Sequence, residues 1–287
     1  MPSVRDLRDR IRSLKNTQQI TKAMKQVAAA KIRRAEQLQR QSRPYADAIA
    51  EMLRDLMASV GHVDHPFMKP GRTGAAAGVV VITADKGLAG AFNSNIIRAA
   101  DTYRKERPDI RWYSVGIKGR NALRKFPQET ARFWPQSQGD KLETAREICA
   151  RVSEDFVDGH IGEIVLISSK FVSMMVQRPE VRKLIPIEVE TEARPREGAP
   201  RGSVEFEPSP EAVLTRLLPK YLEFTFYSAL LETDACFFAS QLVAMNNATD
   251  NAGKLIDELT VQMNNARQAA ITKELLEIVG GAEALAG

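Results

Sequence analysis

The residues best suited by type and spacing to do chemistry lie in Asp85-Lys86-Gly87-Leu88-Ala89-Gly90, between a β-branched run and the start of a helical pattern. Glycines beside a lysine at a strand-to-helix junction can cradle phosphate, because backbone N–H groups and a helix N-terminus face the anion there. Yet the chain contains no G-x-x-x-x-G-K-[ST] and no G-x-G, and Gly253-Lys254 runs into Leu255 within a helical stretch. A tight connection between strand and helix is the simpler account. His62 and His65 form an H-x-x-H pair around Asp64, with His160 remote; a zinc site draws on more ligands than that. No serine or cysteine nucleophile motif accompanies them. Carboxylate neighbours such as Asp257-Glu258 read as solvated helix faces rather than an acid and base. Lys31, Arg33 and Arg34 could meet nucleic-acid phosphates, but no aromatic side chain lies between Met1 and Arg43 to stack on bases.

The elements that must position such residues follow from pattern. At 287 residues, 44% hydrophobic and 27% charged, the chain is of ordinary globular composition with room for one or two units. Its longest apolar stretch, Ala75 to Ile82, is far too short to span a bilayer. The N-terminus lacks the apolar run of a secretory signal, and two distant cysteines, Cys149 and Cys236, suit a reducing compartment. Charge is uneven: residues 1–43 carry 12 Lys/Arg against Asp6, Asp9 and Glu36, whereas residues 211–287 carry five Lys/Arg against ten Asp/Glu.

Residues 3–59 contain no glycine and one proline, Pro44, which marks a kink or boundary. Val4, Leu7, Ile11, Leu14, then Ile20, Met24 and Val27 form a helical stripe, with the gap after Leu14 predicting a phase shift in any coil. Residues 60–78 read as a linker. Val79 to Ile82, 111–117 and 163–169 read as strands, with helices from about Ser94, over 117–125 and over 140–158; such alternation predicts a partly parallel sheet covered by helices. Lys183 to Val189 is a further strand, and 191–203 a loop rich in Pro, Gly and charge. Beyond Pro210 the helical pattern runs almost to the end, so the termini are expected to pair antiparallel, basic against acidic. The expected division is 1–59, 75–195 and 210–287.

Three segments resemble the gamma subunit of F-type ATP synthases. Ile20-Thr21-Lys22-Ala23-Met24-Lys25 with Val27 to Lys31 is similar to that family's I-T-x-A-M-x-x-V-A-x-x-K helix. Asp85 to Asn93 is similar to its D-x-G-L-x-G-x-F-N turn, marked here by Asp85, Lys86, Gly87, Gly90 and Asn93. Ala244-Met245, Asn247 to Ala252 and Asn265 to Thr272 with Glu274 and Glu277 resemble its C-terminal stretch. The resemblance implies an α/β chain, a long antiparallel coiled coil of N- and C-terminal helices plus a central Rossmann-like α/β domain. It implies a noncatalytic rotor whose partners are the alpha and beta subunits, epsilon and the c-subunit ring, coupling ion flow, protons in the first instance, to ATP synthesis. It implies no cofactor, no metal, no nucleic acid and no direct membrane span. Met24, Lys25, Arg267 and Gln268 would face the hexamer. With no transit peptide expected, the place implied is the cytoplasmic side of a bacterial inner membrane.

The chain departs from the family pattern A-S-E-x-x-A-R-M at Phe237, in place of the acid, and at Gln241, in place of the arginine; Ala89 replaces a usual cysteine. Two other readings remain open on residues alone: a basic coiled-coil adaptor or nucleic-acid binder, and a small nucleotide-binding enzyme using the Lys86 turn.

Overall fold

The computed structural model describes residues 3–60, 65–187 and 209–286. Their order is α1 (Val4–Val60), a short 3-10 turn (Pro66–Met68), β1 (Ala76–Ile82), α2 (Phe92–Glu106), β2 (Ile110–Val115), α3 (Ile117–Leu123), β3 (Thr130–Trp134), α4 (Lys141–Val157), β4 (Ile161–Phe171), β5 (Gln177–Ile185) and α5 (Pro210–Ala286). The predicted loop at 191–203 lies outside the described residues, as does the end of the predicted strand at 183–189. That strand begins earlier than its apolar residues suggest, and β3 had no clear apolar signature. Pro44 and Pro219 both lie inside continuous helices.

Two compact units are present, Met1–Ala29 with Gln241–Gly287, and Ala30–Ser240; α1 and α5 contribute to both. In the second unit five strands order as β3-β2-β1-β4-β5. β1 pairs parallel with β2 and β4, β2 parallel with β3, and β4 antiparallel with β5. Strand side chains alternate between faces. Val80, Ile82, Tyr113, Ile164 and Leu166 pack with α4 and with Leu214, Leu218, Leu222, Phe226 and Leu230 of α5. Val79, Val81, Trp112, Val165 and Ile167 pack with Phe92, Ile96 and Ala100 of α2 and with Cys236 and Phe237. Between Leu230 and Cys236, then, α5 passes from one face of the sheet to the other.

In the first unit, α1 and α5 run antiparallel: Gln18 donates to the carbonyl of Thr249, the Thr249 and Thr21 hydroxyls bond at 2.8 Å, and Lys25 donates to Asn246. The predicted phase shift is not what forms. Ile20 and Val27 are 60% and 53% exposed, while Thr21 and Ala28 are buried. The seam therefore keeps three-four spacing through Leu7, Ile11, Leu14, Gln18, Thr21, Lys25 and Ala28, matched on α5 by Met245, Thr249, Ala252 and Ile256. Polar side chains fill positions where an apolar pattern seemed to break. Among the described residues no ion pair joins the basic helix to the acidic one; hydroxyls, amides and the Lys25 ammonium make the polar contacts.

Candidate interaction surfaces

The turn after β1 is organised by one carboxylate. Asp85 Oδ1 accepts from the amides of Ile117 at 2.9 Å and Gln136 at 3.1 Å, and Oδ2 from the amide and hydroxyl of Ser137 at 2.7 and 2.5 Å. It thus ties together the C-terminal ends of β1, β2 and β3. Burial opposes its charge, but the hydrogen bonds from Ser137, Gln136 and Ile117 outweigh that effect and hold its pKa below the usual carboxylate value. Asn93 closes the turn from the other side, Oδ1 accepting from the Ala84 amide and Nδ2 donating to the Lys86 carbonyl. Thr83 donates to the Val115 carbonyl and accepts from the Gly119 amide. Gly116, at φ 90°, lies so close to Thr83 that a Cβ would overlap its carbonyl.

Held in this way, the turn presents Lys86, Leu88 and Gly90 to solvent, while Ala89 is buried. Leu88 has φ 60° and is 64% exposed. A left-handed conformation at a residue bearing a Cβ costs on the order of 1–2 kcal/mol, and here it displays an apolar side chain rather than burying it.

The crevice at the C-terminal ends of β1 and β4, where an open α/β sheet receives ligands, marks the point at which strand order reverses. In this chain α5 occupies that edge. The Phe171 amide donates to Glu232 at 2.9 Å, the Cys236 thiol donates to the Ser169 carbonyl, and Gln136 donates to Leu230 and Asp234. Lys141 pairs with Asp234 at 3.3 Å. Phe237 packs edge-on against Phe92, with ring centroids 5.9 Å apart, and against Phe238, whose ring also carries the Lys31 ammonium. The departure from an acid at Phe237 therefore fits an aromatic plug, and the nucleotide-enzyme reading meets a crevice filled by the chain itself.

His65 caps the 3-10 turn, its Nδ1 accepting from the Phe67 amide, and stacks edge-on against that ring; His62 lies outside the described residues. Among the described residues no three His, Cys, Asp or Glu side chains group as metal ligands, and no described helix is long and apolar enough to cross a membrane.

The four residues expected at the hexamer fall into two classes. Met24 is half-buried, and Lys25 is engaged with Asn246 at 2.6 Å inside the coil. Arg267 and Gln268 are exposed on a stretch of α5 whose side chains are almost all in solvent, including Ile271, Leu275, Leu276 and Ile278. Pattern reading missed Gln18, Thr21 and Thr249 of the seam and Ser137 as an Asp85 partner; the three-four spacing could have found the first three.

A family model described as ATP synthase matches residues 3–285. The ATP synthase gamma chain of Heliobacterium modesticaldum is 44% identical over 99% of this chain and 100% of its own length, and that of Pelotomaculum thermopropionicum is 45% identical over the same shares. Among solved structures, the central stalk and c-ring of Tetrahymena thermophila mitochondrial ATP synthase matches with TM-score 0.60 and 26% identity, over 80% of this chain and 99% of that one. A chain of the Euglena gracilis mitochondrial ATP synthase shares the fold at TM-score 0.68 and 19% identity, over 98% and 94%. The chain belongs to the family of ATP synthase gamma chains, the noncatalytic central-stalk subunits of that complex.

Proposed function

We propose that this chain turns inside a ring of alpha and beta subunits and carries rotation between that ring and a c-subunit ring, with epsilon bound alongside. Residues 1–59 and 210–287 form the shaft, and 75–195 the domain beside the membrane ring. Arg267 and Gln268 supply charged and amide donors that touch successive catalytic subunits, contacts made and broken at each step. Met24 takes part at the coil surface, while Lys25 acts through its bond to Asn246. The turn Asp85, Lys86, Gly87, Gly90 and Asn93 meets the alpha-beta ring from the sheet edge of that domain. The driving ion is the proton, and the complex sits on the cytoplasmic side of a bacterial inner membrane.

The observation that carries this reading is the polar-layered antiparallel seam followed by an α5 end that leaves apolar side chains and Arg267 in solvent. An exposed apolar helix of this kind wants a partner to cover it. Reconstitution tests it. Mixed with alpha and beta subunits from the same source, the chain is expected to give a stoichiometric complex with ATPase activity well above that of the subunits alone. Absence of any complex would refute the reading.

A further inference from the structure

Resting on the stalk reading above, we propose that Gln136 and Lys141 are positioning residues for torque: they key Asp234 of α5 to the segment after β3, so that helix and sheet turn as one body. Gln136 is 3% exposed and reaches in two directions. Its main-chain amide donates to Asp85 Oδ1 at 3.1 Å, and its side-chain amide donates to the Leu230 carbonyl and to Asp234 Oδ1, both at 3.2 Å. Lys141, the first residue of α4, donates to the main-chain carbonyl of Gln136 and pairs with Asp234 Oδ2 at 3.3 Å. Both Asp234 oxygens are thus engaged from the β3 side, and the residue that grips α5 also holds the Asp85 turn.

Packing alone does not supply such a key. The apolar contacts of α5 with the sheet are non-directional and tolerate a small turn of the helix about its axis, whereas hydrogen bonds weaken steeply as they bend. Slippage by one residue turns an α-helix by about 100°, which carries Asp234 away from both partners. The site is also a costly one to build. Burial pushes the Asp234 carboxyl up against the opposing pull of Lys141 and Gln136, and Gln136 Oε1 is buried without a hydrogen-bond partner. Apolar side chains of similar volume would hold the helix at lower cost, so the polar groups kept here serve to fix an angle. Their place on α5 suits that role. The β4 side is held separately, by the Phe171 amide on Glu232, the Cys236 thiol on the Ser169 carbonyl and the Ser240 hydroxyl on Gln177 at 2.7 Å. α5 leaves this unit after Ser240, so slack between Leu230 and Ser240 is rotation lost from the shaft.

The test pairs a local opening rate with coupling. Cys236 lies two residues from Asp234, while Cys149 sits on α4 against the Pro219 carbonyl, and both are buried. In the full chain carrying Gln136→Leu with Lys141→Met, long native incubation with iodoacetamide is expected to label Cys236 about tenfold faster than in the unaltered chain, with Cys149 unchanged. Lys141→Arg should label as slowly as the unaltered chain. Asp234→Asn, which keeps an acceptor for Gln136 but loses the charge facing Lys141, should fall between and serves if the double variant does not fold. In vesicles holding the complete complex, the fast-labelling variants should still hydrolyse ATP yet move fewer protons per ATP, and Lys141→Arg should restore the ratio. Equal acceleration at both thiols would show general loosening and overturn the inference, as would unchanged labelling. Faster labelling of Cys236 with an unchanged proton-to-ATP ratio would make the contact a tether that carries no torque, overturning the inference and leaving the stalk reading standing. Failure of the unaltered chain to assemble at all removes the stalk reading and this inference with it.

Discussion

The ammonium of Lys25 lies 2.6 Å from the side-chain carbonyl of Asn246, joining helices from opposite ends of the sequence. With Gln18, Thr21 and Thr249 it forms a polar layer in an otherwise apolar seam. Such layers fix register, because a shifted pairing strands their donors and acceptors. A double-mutant cycle of Lys25→Ala and Asn246→Ala, read by denaturant unfolding, is expected to give a coupling of about 1 kcal/mol. Coupling near zero would mean that the apolar positions alone hold the seam.

Asp85 supplies a pH dependence. Its folded pKa is depressed, so its contribution to stability is present above the unfolded value of about 3.9 and is lost as pH falls through that value and below. Asp85→Asn should cost about 1–3 kcal/mol at neutral pH, since four donors lose a charged acceptor. The variant should also lose part of the fall in stability below about pH 4. Melting curves across pH for both proteins check the two statements together.

Leu88 separates stability from function. Leu88→Gly relieves the left-handed strain and is expected to leave stability unchanged or raise it by up to about 1 kcal/mol. Activation of the alpha-beta ATPase should nonetheless decline, because the side chain displayed on the turn is gone. Loss of both together would make Leu88 a folding residue instead.

The two thiols should be silent. Burial pushes Cys149 up to about 11 and Cys236 up to about 12, and Cys236 also donates to the Ser169 carbonyl. A thiolate is the reactive form, so iodoacetamide at neutral pH should label neither until denaturant unfolds the chain. Rapid native labelling of Cys236 would show that α5 lifts from the sheet edge.

Long helices and buried strands were legible because their patterns are local. Val79 to Ile82 announces a buried strand, and the stripe from Leu7 to Leu14 a helix. β3 and the start of β5 escaped because they lie at the edges of the sheet, where Arg132, Arg178 and Glu180 are tolerated. The seam was misread after Leu14 because hydropathy counts Gln18, Thr21 and Lys25 as outward residues, although each has a partner on α5 or faces it. The turn at Asp85 was recognisable as a family feature, but its work was not, since Ile117, Gln136 and Ser137 are distant in sequence.

The central claim is that this chain rotates. With both native thiols buried, Val157→Cys offers a single exposed attachment point for a probe, and the alpha-beta ring can be fixed to a surface. On adding ATP the probe should turn in one direction in discrete steps, and Arg267→Ala with Gln268→Ala should weaken its torque. ATP hydrolysis by the fixed complex with a stationary probe would contradict the account.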